Sequence, residues 1–264
     1  MTDQRREAAL HEALSKAPQA TLMFWLVKIC ATTVGETGGD ALSMTLQLGY
    51  AVSTLIFLAF FAVTMAVQVR AHRYHPLIYW LVVIATTTVG TTTSDFFDRS
   101  LHLGYVLSSG ILFCAVLAVL AAWKLTTGAI RADKIVGRKD EVFYWLTILV
   151  SNTLGTALGD FTADDTGLNL GFEKGALLFS ALILVVALVH WRKWAPQPVL
   201  FWAAYVLTRP LGATLGDTLT KPVAEGGLDF GRFAATGVIV VVMVGLVLLS
   251  KKLRRPAVAA VEPA

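Results

Sequence analysis

Charged residues are scarce in this sequence, and so are cysteines. Asp, Glu, Lys and Arg make up 15% of the 264 residues, whereas a soluble domain carries about 25%. Hydrophobic residues make up 56%, and the mean hydropathy is +0.66. The two cysteines, Cys30 and Cys114, lie far apart inside apolar stretches, so they form no metal or redox spacing and we expect both to be buried. This composition excludes an ordinary soluble domain and a disulfide-stabilised scaffold.

Sequence signatures of enzymes are also missing. The chain has no Ser-centred nucleophile elbow, no His-Glu-x-x-His, no phosphate-binding loop and no Cys–His pairing. We therefore expect neither enzymatic activity nor a cofactor. The net charge of +4 comes from basic residues at the ends and in connecting loops, so it does not indicate nucleic-acid binding.

Long apolar runs dominate what is present, for example at 51–69, 103–123, 175–189 and 233–249. Helices of about 20 such residues cross the ~30 Å hydrocarbon core of a bilayer. The sequence therefore predicts an all-α integral membrane protein with a single membrane domain at 21–251. We expect residues 1–20 to form a cytoplasmic segment rather than a signal peptide, and residues 252–264 to form a disordered tail.

One motif occurs four times, which predicts an architecture of internal repeats. In each copy a Gly is followed five residues later by an Asp and preceded ten residues earlier by a Trp that follows another aromatic residue. The copies span 32–40, 87–95, 152–160 and 209–217, and the aromatic pairs are Phe24-Trp25, Tyr79-Trp80, Tyr144-Trp145 and Phe201-Trp202. We expect the aromatic pairs to form an interfacial belt.

Each repeat divides into two spans, and the second opens at a shared Leu-polar-apolar-Gly signature. The pattern predicts eight transmembrane helices near 21–39, 48–69, 77–95, 103–125, 142–160, 172–191, 199–217 and 231–250. The repeats then cover 21–70, 76–125, 141–192 and 198–251, and all four have the same orientation. They form either a pseudo-fourfold ring or two pseudo-twofold halves. Because basic residues cluster at the ends and between repeats, both termini are predicted to be cytoplasmic.

The glycines and the aspartates of the motif point to different roles. Gly or Ser recurs four residues after each motif Gly, and such small residues allow close helix packing in lipid. Packing does not explain the Asp that follows in every copy. A ring of carboxylates binds cations, although these acids could instead cap helices near the headgroups.

The candidate metal ligands are Asp40, Asp95, Asp160, Asp217 and Glu36. A supporting polar shell is predicted from residues at matching repeat positions or on the same helical stripe: Lys28, Thr32, Thr87, Asn152, Arg209, Gln47, His102, Asn169 and Asp229. Such oxygen-rich sets suit Mg²⁺, Ca²⁺ or Mn²⁺. Five acids against Lys28 and Arg209 leave a net charge of about −3, which protons or a bound cation must offset. Arg209 is either a tethered cation that leaves when substrate binds or one half of a fixed ion pair.

These features favour transport of a divalent metal such as Mn²⁺, with possible proton coupling, through a central site of repeat aspartates. A cation channel and a non-transporting membrane scaffold or regulator are the alternatives. The partners are then the lipid bilayer, a small inorganic cation and protons. The ion, the direction of transport and the oligomeric state stay open.

Two resemblances accompany this interpretation. The core 35–40, Gly-Glu-Thr-Gly-Gly-Asp, loosely resembles the acidic helix motifs of bacterial and Golgi-type cation exchangers that handle manganese and calcium. Those families use inverted repeats, unlike this chain. Over its full length the sequence resembles a group of uncharacterised bacterial membrane proteins with the same fourfold repeat. This second resemblance implies the fold and no function. The interpretation as a cation transporter predicts a location in the bacterial inner membrane.

Overall fold

The computed structural model describes residues 16, 18–71, 74–130, 135 and 137–259, with side chains up to residue 252. Within these residues the secondary structure is helical, with eight long helices and no strand. Most of the predicted N-terminal segment 1–20 and the tail residues 260–264 lie outside the described residues.

The eight predicted helices are confirmed, and their ends shift by a few residues. They are α1 Leu22–Asp40, α2 Gly49–Arg70, α3 Pro76–Asp95, α4 Tyr105–Thr127, α5 Arg138–Ala163, α6 Phe172–Trp191, α7 Gln197–Thr220 and α8 Arg232–Ala259. Helix α1 begins where the Thr21 hydroxyl accepts a hydrogen bond from the Phe24 amide. Two π-helical turns, Ala41–Thr45 and Phe96–Ser100, extend α1 and α3. Helix α8 continues past the predicted end at residue 250.

The shared signature before each second helix sets the conformation of the backbone. Its polar residue adopts a positive φ of 52–54° in all four repeats, and its Gly adopts a φ of 72–81°. Asn, Asp and Gly tolerate this left-handed region better than other residues. The polar residues are Gln47, His102, Asn169 and Asp229, and the glycines are Gly49, Gly104, Gly171 and Gly231. The signature thus turns the chain tightly between the two helices of a repeat.

The first helices of the four repeats form a closed inner ring. Each of α1, α3, α5 and α7 packs against the next, and α7 packs against α1 to complete the circle. The second helix of each repeat lies outside and packs on the first helix of the following repeat: α2 on α3, α4 on α5, α6 on α7 and α8 on α1. The ring is therefore pseudo-fourfold in its backbone, one of the two arrangements that the repeats allow.

The motif glycines are the contact points of this ring. Each lies against the residue three positions before the motif Gly of the next inner helix: Gly35 against Thr87, Gly90 against Asn152, Gly155 against Arg209 and Gly212 against Thr32. A Cβ atom on Gly90 would lie 2.9 Å from the backbone carbonyl carbon of Asn152. The predicted close packing through small residues is confirmed.

The aromatic pairs interlock at one end of the ring. Each Trp contacts the first aromatic residue of the preceding repeat, with ring centroids 5.5 Å apart for Phe24–Trp80, 5.4 Å for Tyr79–Trp145, 5.9 Å for Tyr144–Trp202 and 5.7 Å for Phe201–Trp25. Trp80, Trp145 and Trp202 are buried. These rings therefore pack between neighbouring inner helices rather than facing outward, and their position at a membrane interface stays a prediction.

In the part of the chain that the structure describes, six helices are long and apolar enough to cross a membrane: α2, α3 with its π-helical turn, α4, α5, α6 and α8 up to residue 252. In the outer helices α2, α4, α6 and α8, only 17–22% of the residues in the apolar 18-residue stretch are buried inside the protein, against 67–72% in α3 and α5. Helices α1 and α7 are not among the six, since they carry Lys28, Glu36 and Arg209 in the interior of the ring.

Cys30 is partly buried, and Cys114 lies on an exposed face of α4, contrary to the expectation for both.

Candidate functional site: a buried polar axis

Each inner helix presents four residues, spaced by four, to the centre of the ring. The four stripes are Lys28, Thr32, Glu36 and Asp40 on α1; Val83, Thr87, Thr91 and Asp95 on α3; Ile148, Asn152, Thr156 and Asp160 on α5; and Tyr205, Arg209, Ala213 and Asp217 on α7. All sixteen side chains are at most 4% exposed. Matching positions form four layers, which we number 1 to 4 from Lys28 to Asp40. The predicted stripe on α1 thus recurs on every inner helix.

Arg209 ties all four inner helices together between layers 2 and 3. Its Nη2, which carries two N–H groups, lies 2.8 Å from Glu36 Oε2, 2.5 Å from Thr91 Oγ1 and 2.7 Å from Thr156 Oγ1. These three acceptors lie on α1, α3 and α5, and the guanidinium is fully buried. Arg209 is therefore held in a charge-assisted network, and its acid partner is Glu36 rather than an Asp.

Lys28 crosses the ring one layer away. Its Nζ lies 3.4 Å from Asn152 Oδ1 on the opposite helix and 4.2 Å from the ring centre of Tyr205. Asn152 also donates to Thr86 Oγ1 at 3.0 Å. The buried ammonium is thus stabilised by an amide oxygen and an aromatic face.

The threonines of layers 2 and 3 join neighbouring inner helices. Thr32 Oγ1 lies 3.1 Å from the Thr208 carbonyl oxygen on α7, and Thr87 Oγ1 lies 3.2 Å from the Ala31 carbonyl oxygen on α1. Close packing at the motif glycines brings these hydroxyls within reach of a neighbouring backbone. Thr32 and Thr87, two of the predicted shell residues, therefore contribute to packing between inner helices.

The four motif aspartates of layer 4 are paired two by two. Arg99 Nε lies 3.1 Å from Asp95 Oδ1, and its Nη2 lies 3.7 Å from Asp160 Oδ2. Lys221 Nζ lies 3.5 Å from Asp217 Oδ1 and 3.8 Å from Asp40 Oδ2. Arg99 and Lys221 each follow the Asp of their own repeat by four residues. At this layer the fourfold backbone thus carries a twofold pattern of charge.

The axis holds more positive charge than the two basic residues, Lys28 and Arg209, that were counted from the sequence. Arg99 and Lys221 reach the aspartates from the ends of their helices, and Arg232 Nε lies 3.5 Å from Asp40 Oδ2. Adding these three cations to the predicted net charge of about −3 brings the total close to zero. Every axial acid has a basic nitrogen within 4 Å. The predicted charge deficit is wrong, because Arg99 and Lys221 beyond the predicted helices, and Arg232 at the start of one, reach the axial acids in the folded ring.

Three acids nevertheless form a close cluster. Glu36, Asp40 and Asp217 each place one carboxylate oxygen within 4.8 Å of the others, and all three are buried. Asp40 Oδ2 and Asp217 Oδ1 accept no hydrogen bond from the described residues. The nearby Asp217 carboxylate raises the pKa of Lys221, which lies just past the end of α7, so the ammonium stays protonated. The structure thus brings together three of the five predicted ligands, while Asp95 and Asp160 share Arg99.

Four predicted shell residues are not brought to this site. Gln47, His102, Asn169 and Asp229 are exposed in the turns between paired helices, where their positive φ accounts for the shared position. Conversely, sequence reasoning missed residues that contact the axial groups: Thr91, Thr156, Arg99, Lys221 and Arg232. A signal for four of these was present, since Thr91 and Thr156 lie four residues before a motif Asp, and Arg99 and Lys221 lie four after one.

These features define a class: an all-helical protein of four tandem two-helix repeats, with an apolar outer surface and a buried polar axis. A family model matches the chain four times, at 23–74, 78–129, 143–194 and 200–255. The chain belongs to this family, described as a repeat of unknown function (DUF347). The predicted membership in an uncharacterised family with four internal repeats is confirmed. Comparison with curated proteins and with solved structures found no match.

Proposed function

We propose that this protein transports a divalent cation, with Mn²⁺ as the first candidate, across a bacterial inner membrane through the buried polar axis. The observation that carries the proposal is the cluster of Glu36, Asp40 and Asp217 inside the ring. Oxygens that share one Mg²⁺, Mn²⁺ or Ca²⁺ ion at about 2.0–2.6 Å lie no more than about 5 Å apart. The spacing of the three carboxylates meets this condition.

The position of Arg209 favours a transporter over an open channel. Its guanidinium bridges all four inner helices directly beyond the carboxylate cluster, and the interlocked aromatic rings lie further along, past layer 1. An ion bound at Glu36 could move on only after the Arg209 contacts rearrange. The excess of basic residues between repeats favours an orientation with the aromatic end at the cytoplasm and the carboxylate cluster toward the opposite side.

A flux assay in proteoliposomes tests the proposal. We expect wild-type protein to move Mn²⁺, Ca²⁺ or Mg²⁺, and an imposed pH gradient to change the rate if protons are exchanged. Asp40→Asn and Asp217→Asn should reduce the rate at least about tenfold, because each removes a charged ligand. Glu225→Gln is the matched control, since Glu225 is an exposed acid in the turn before α8. Flux that is absent, or equal in all of these variants, contradicts the proposal.

A non-transporting membrane scaffold is the second candidate, and one observation favours it. Each axial acid already has a basic side chain within 4 Å, so the axis is neutral without a bound ion. In a scaffold these pairs would serve only to hold the ring together. The Asp→Asn variants would then lower thermal stability while no ion flux is seen in any variant, including the wild type.

A further inference from the structure

The twofold pattern of charge divides layer 4 into two half-sites, Asp40 with Asp217 around Lys221 and Asp95 with Asp160 around Arg99. Lys221 and Arg99 occupy equivalent positions, and each bridges its own motif Asp to that of the following repeat. The halves differ in layer 3, where α1 carries Glu36 and the equivalent position on α5 carries Thr156. Only the half around Lys221 therefore offers three carboxylates.

The ammonium of Lys221 is positioned as a cation at this cluster. Its side chain is 8% exposed, and Nζ lies 3.5 Å from Asp217 Oδ1 and 3.8 Å from Asp40 Oδ2. Neither oxygen accepts a hydrogen bond from the described residues, so the ammonium is held by charge at a distance rather than by short bonds. Arg232 Nε also lies 3.5 Å from Asp40 Oδ2, so Lys221 is the cation that this half-site places between Asp40 and Asp217.

Lys221 can leave the cluster, whereas Arg209 cannot do so easily. Lys221 follows the last residue of α7, where the backbone becomes extended, and its flexible stem ends in a compact charge. Arg209 lies in the middle of α7, and its Nη2 lies within 2.8 Å of polar oxygens on three other helices. The sequence made Arg209 the candidate for a tethered cation, and the geometry favours Lys221 instead.

We infer that Lys221 is a tethered internal cation that occupies the Glu36–Asp40–Asp217 site when no divalent ion is bound and leaves when one binds. This inference rests on the proposed function and names how its site is regulated. Arg99, in contrast, lies between Asp95 and Asp160, whose layer 3 neighbours on their own helices are Thr91 and Thr156 rather than an acid. The protein therefore binds one divalent ion per chain, in competition with its own lysine.

Mn²⁺ binding to the full-length protein in nanodiscs tests the competition. Free Mn²⁺ is measured by electron paramagnetic resonance for the wild type, Lys221→Met and Lys221→Arg, with Arg99→Met as the matched control at the equivalent position. We expect Lys221→Met to lower the Kd at least about tenfold. Arg99→Met removes the same charge from acids outside the cluster, so it should tighten binding by less than Lys221→Met does, and Lys221→Arg should not tighten binding.

Amine labelling provides a second measurement that needs no variant. Lys221 of the wild-type protein should react slowly with an acylating reagent and at least about threefold faster at saturating Mn²⁺. Lys174, which is exposed near the start of α6 on the same side, is the internal control and should react at an unchanged rate. Peptide mass spectrometry gives both rates.

The outcomes separate this inference from the function on which it rests. Mn²⁺ binding that is unchanged or weaker in Lys221→Met, with Lys221 labelling unaffected by Mn²⁺, overturns the tethered cation and leaves cation transport standing. Equal tightening in Arg99→Met also overturns it, because the half-sites would then be alike. Absence of binding and of flux in every variant overturns both, whereas binding that appears only in Lys221→Met supports the inference.

Discussion

Removal of the Arg209 guanidinium should be among the most destabilising single changes in this protein. Arg209→Met leaves Glu36 buried without its partner at 2.8 Å, beside the carboxylates of Asp40 and Asp217. Breaking a buried pair by removing one partner costs about 3–5 kcal/mol. Thr91 and Thr156 also lose a donor, although both hydroxyls lie within hydrogen-bonding distance of backbone carbonyl oxygens.

A double-mutant cycle on Glu36 and Arg209 measures how strongly the two residues are coupled. Glu36→Gln alone leaves a buried guanidinium without its counter-ion and should cost about as much as Arg209→Met. Replacing both partners of a buried pair by neutral groups is often close to neutral. We therefore expect the double variant Glu36→Gln/Arg209→Met to be more stable than the sum of the single effects predicts, with a coupling energy of about 2 kcal/mol or more.

Unfolding in mixed detergent micelles, followed by the fluorescence of the seven Trp residues, gives these free energies. For a chain of this length the single variants should also melt on the order of 10 °C lower than the wild type. Single effects that add within about 0.5 kcal/mol would show that the two residues are not coupled. That result would refute the view that Arg209 holds the ring together through Glu36.

Three further predictions concern helix packing. Gly90→Ala should destabilise the protein by about 1–3 kcal/mol because its Cβ would meet the Asn152 backbone. Gly110→Ala, at a helical position with open space around it, should be neutral or stabilising by up to about 1 kcal/mol in the same micelle assay; equal effects would contradict close packing. Tyr79→Phe should lower stability by about 1 kcal/mol, since it removes the 2.6 Å hydrogen bond to Tyr144; an unchanged melting curve would argue against that bond.

The repeat pattern made much of the fold predictable. Four copies of one motif at equal spacing predict four equivalent units, and the apolar runs between them predict paired helices. The order of packing was not readable from these patterns, because α2, α4, α6 and α8 could have packed on their own first helices. Each lies instead on the next first helix, which depends on how four inner helices close around an axis.

The candidate site was predictable in its residue types and less so in its grouping. A spacing of four identifies Glu36 and Asp40 as neighbours on one stripe, and the same spacing would have added Thr91 and Thr156. Nothing local shows that Asp217 joins the first repeat while Asp95 joins the third. That grouping follows from which helices are adjacent in the ring and from where the side chains beyond their ends reach.

The sequence by itself determined the class of the protein, the four repeats, the eight helices and the stripes of polar residues on the inner helices. These are local properties, since apolar length and a spacing of four act within one helix. The tertiary structure alone decided the balance of charge, because Arg99, Lys221 and Arg232 lie outside the predicted helices or at their starts and reach the aspartates only after the ring closes. It also decided that the aromatic pairs pack between neighbouring inner helices, for the same reason: neighbours in space are set by closure of the ring.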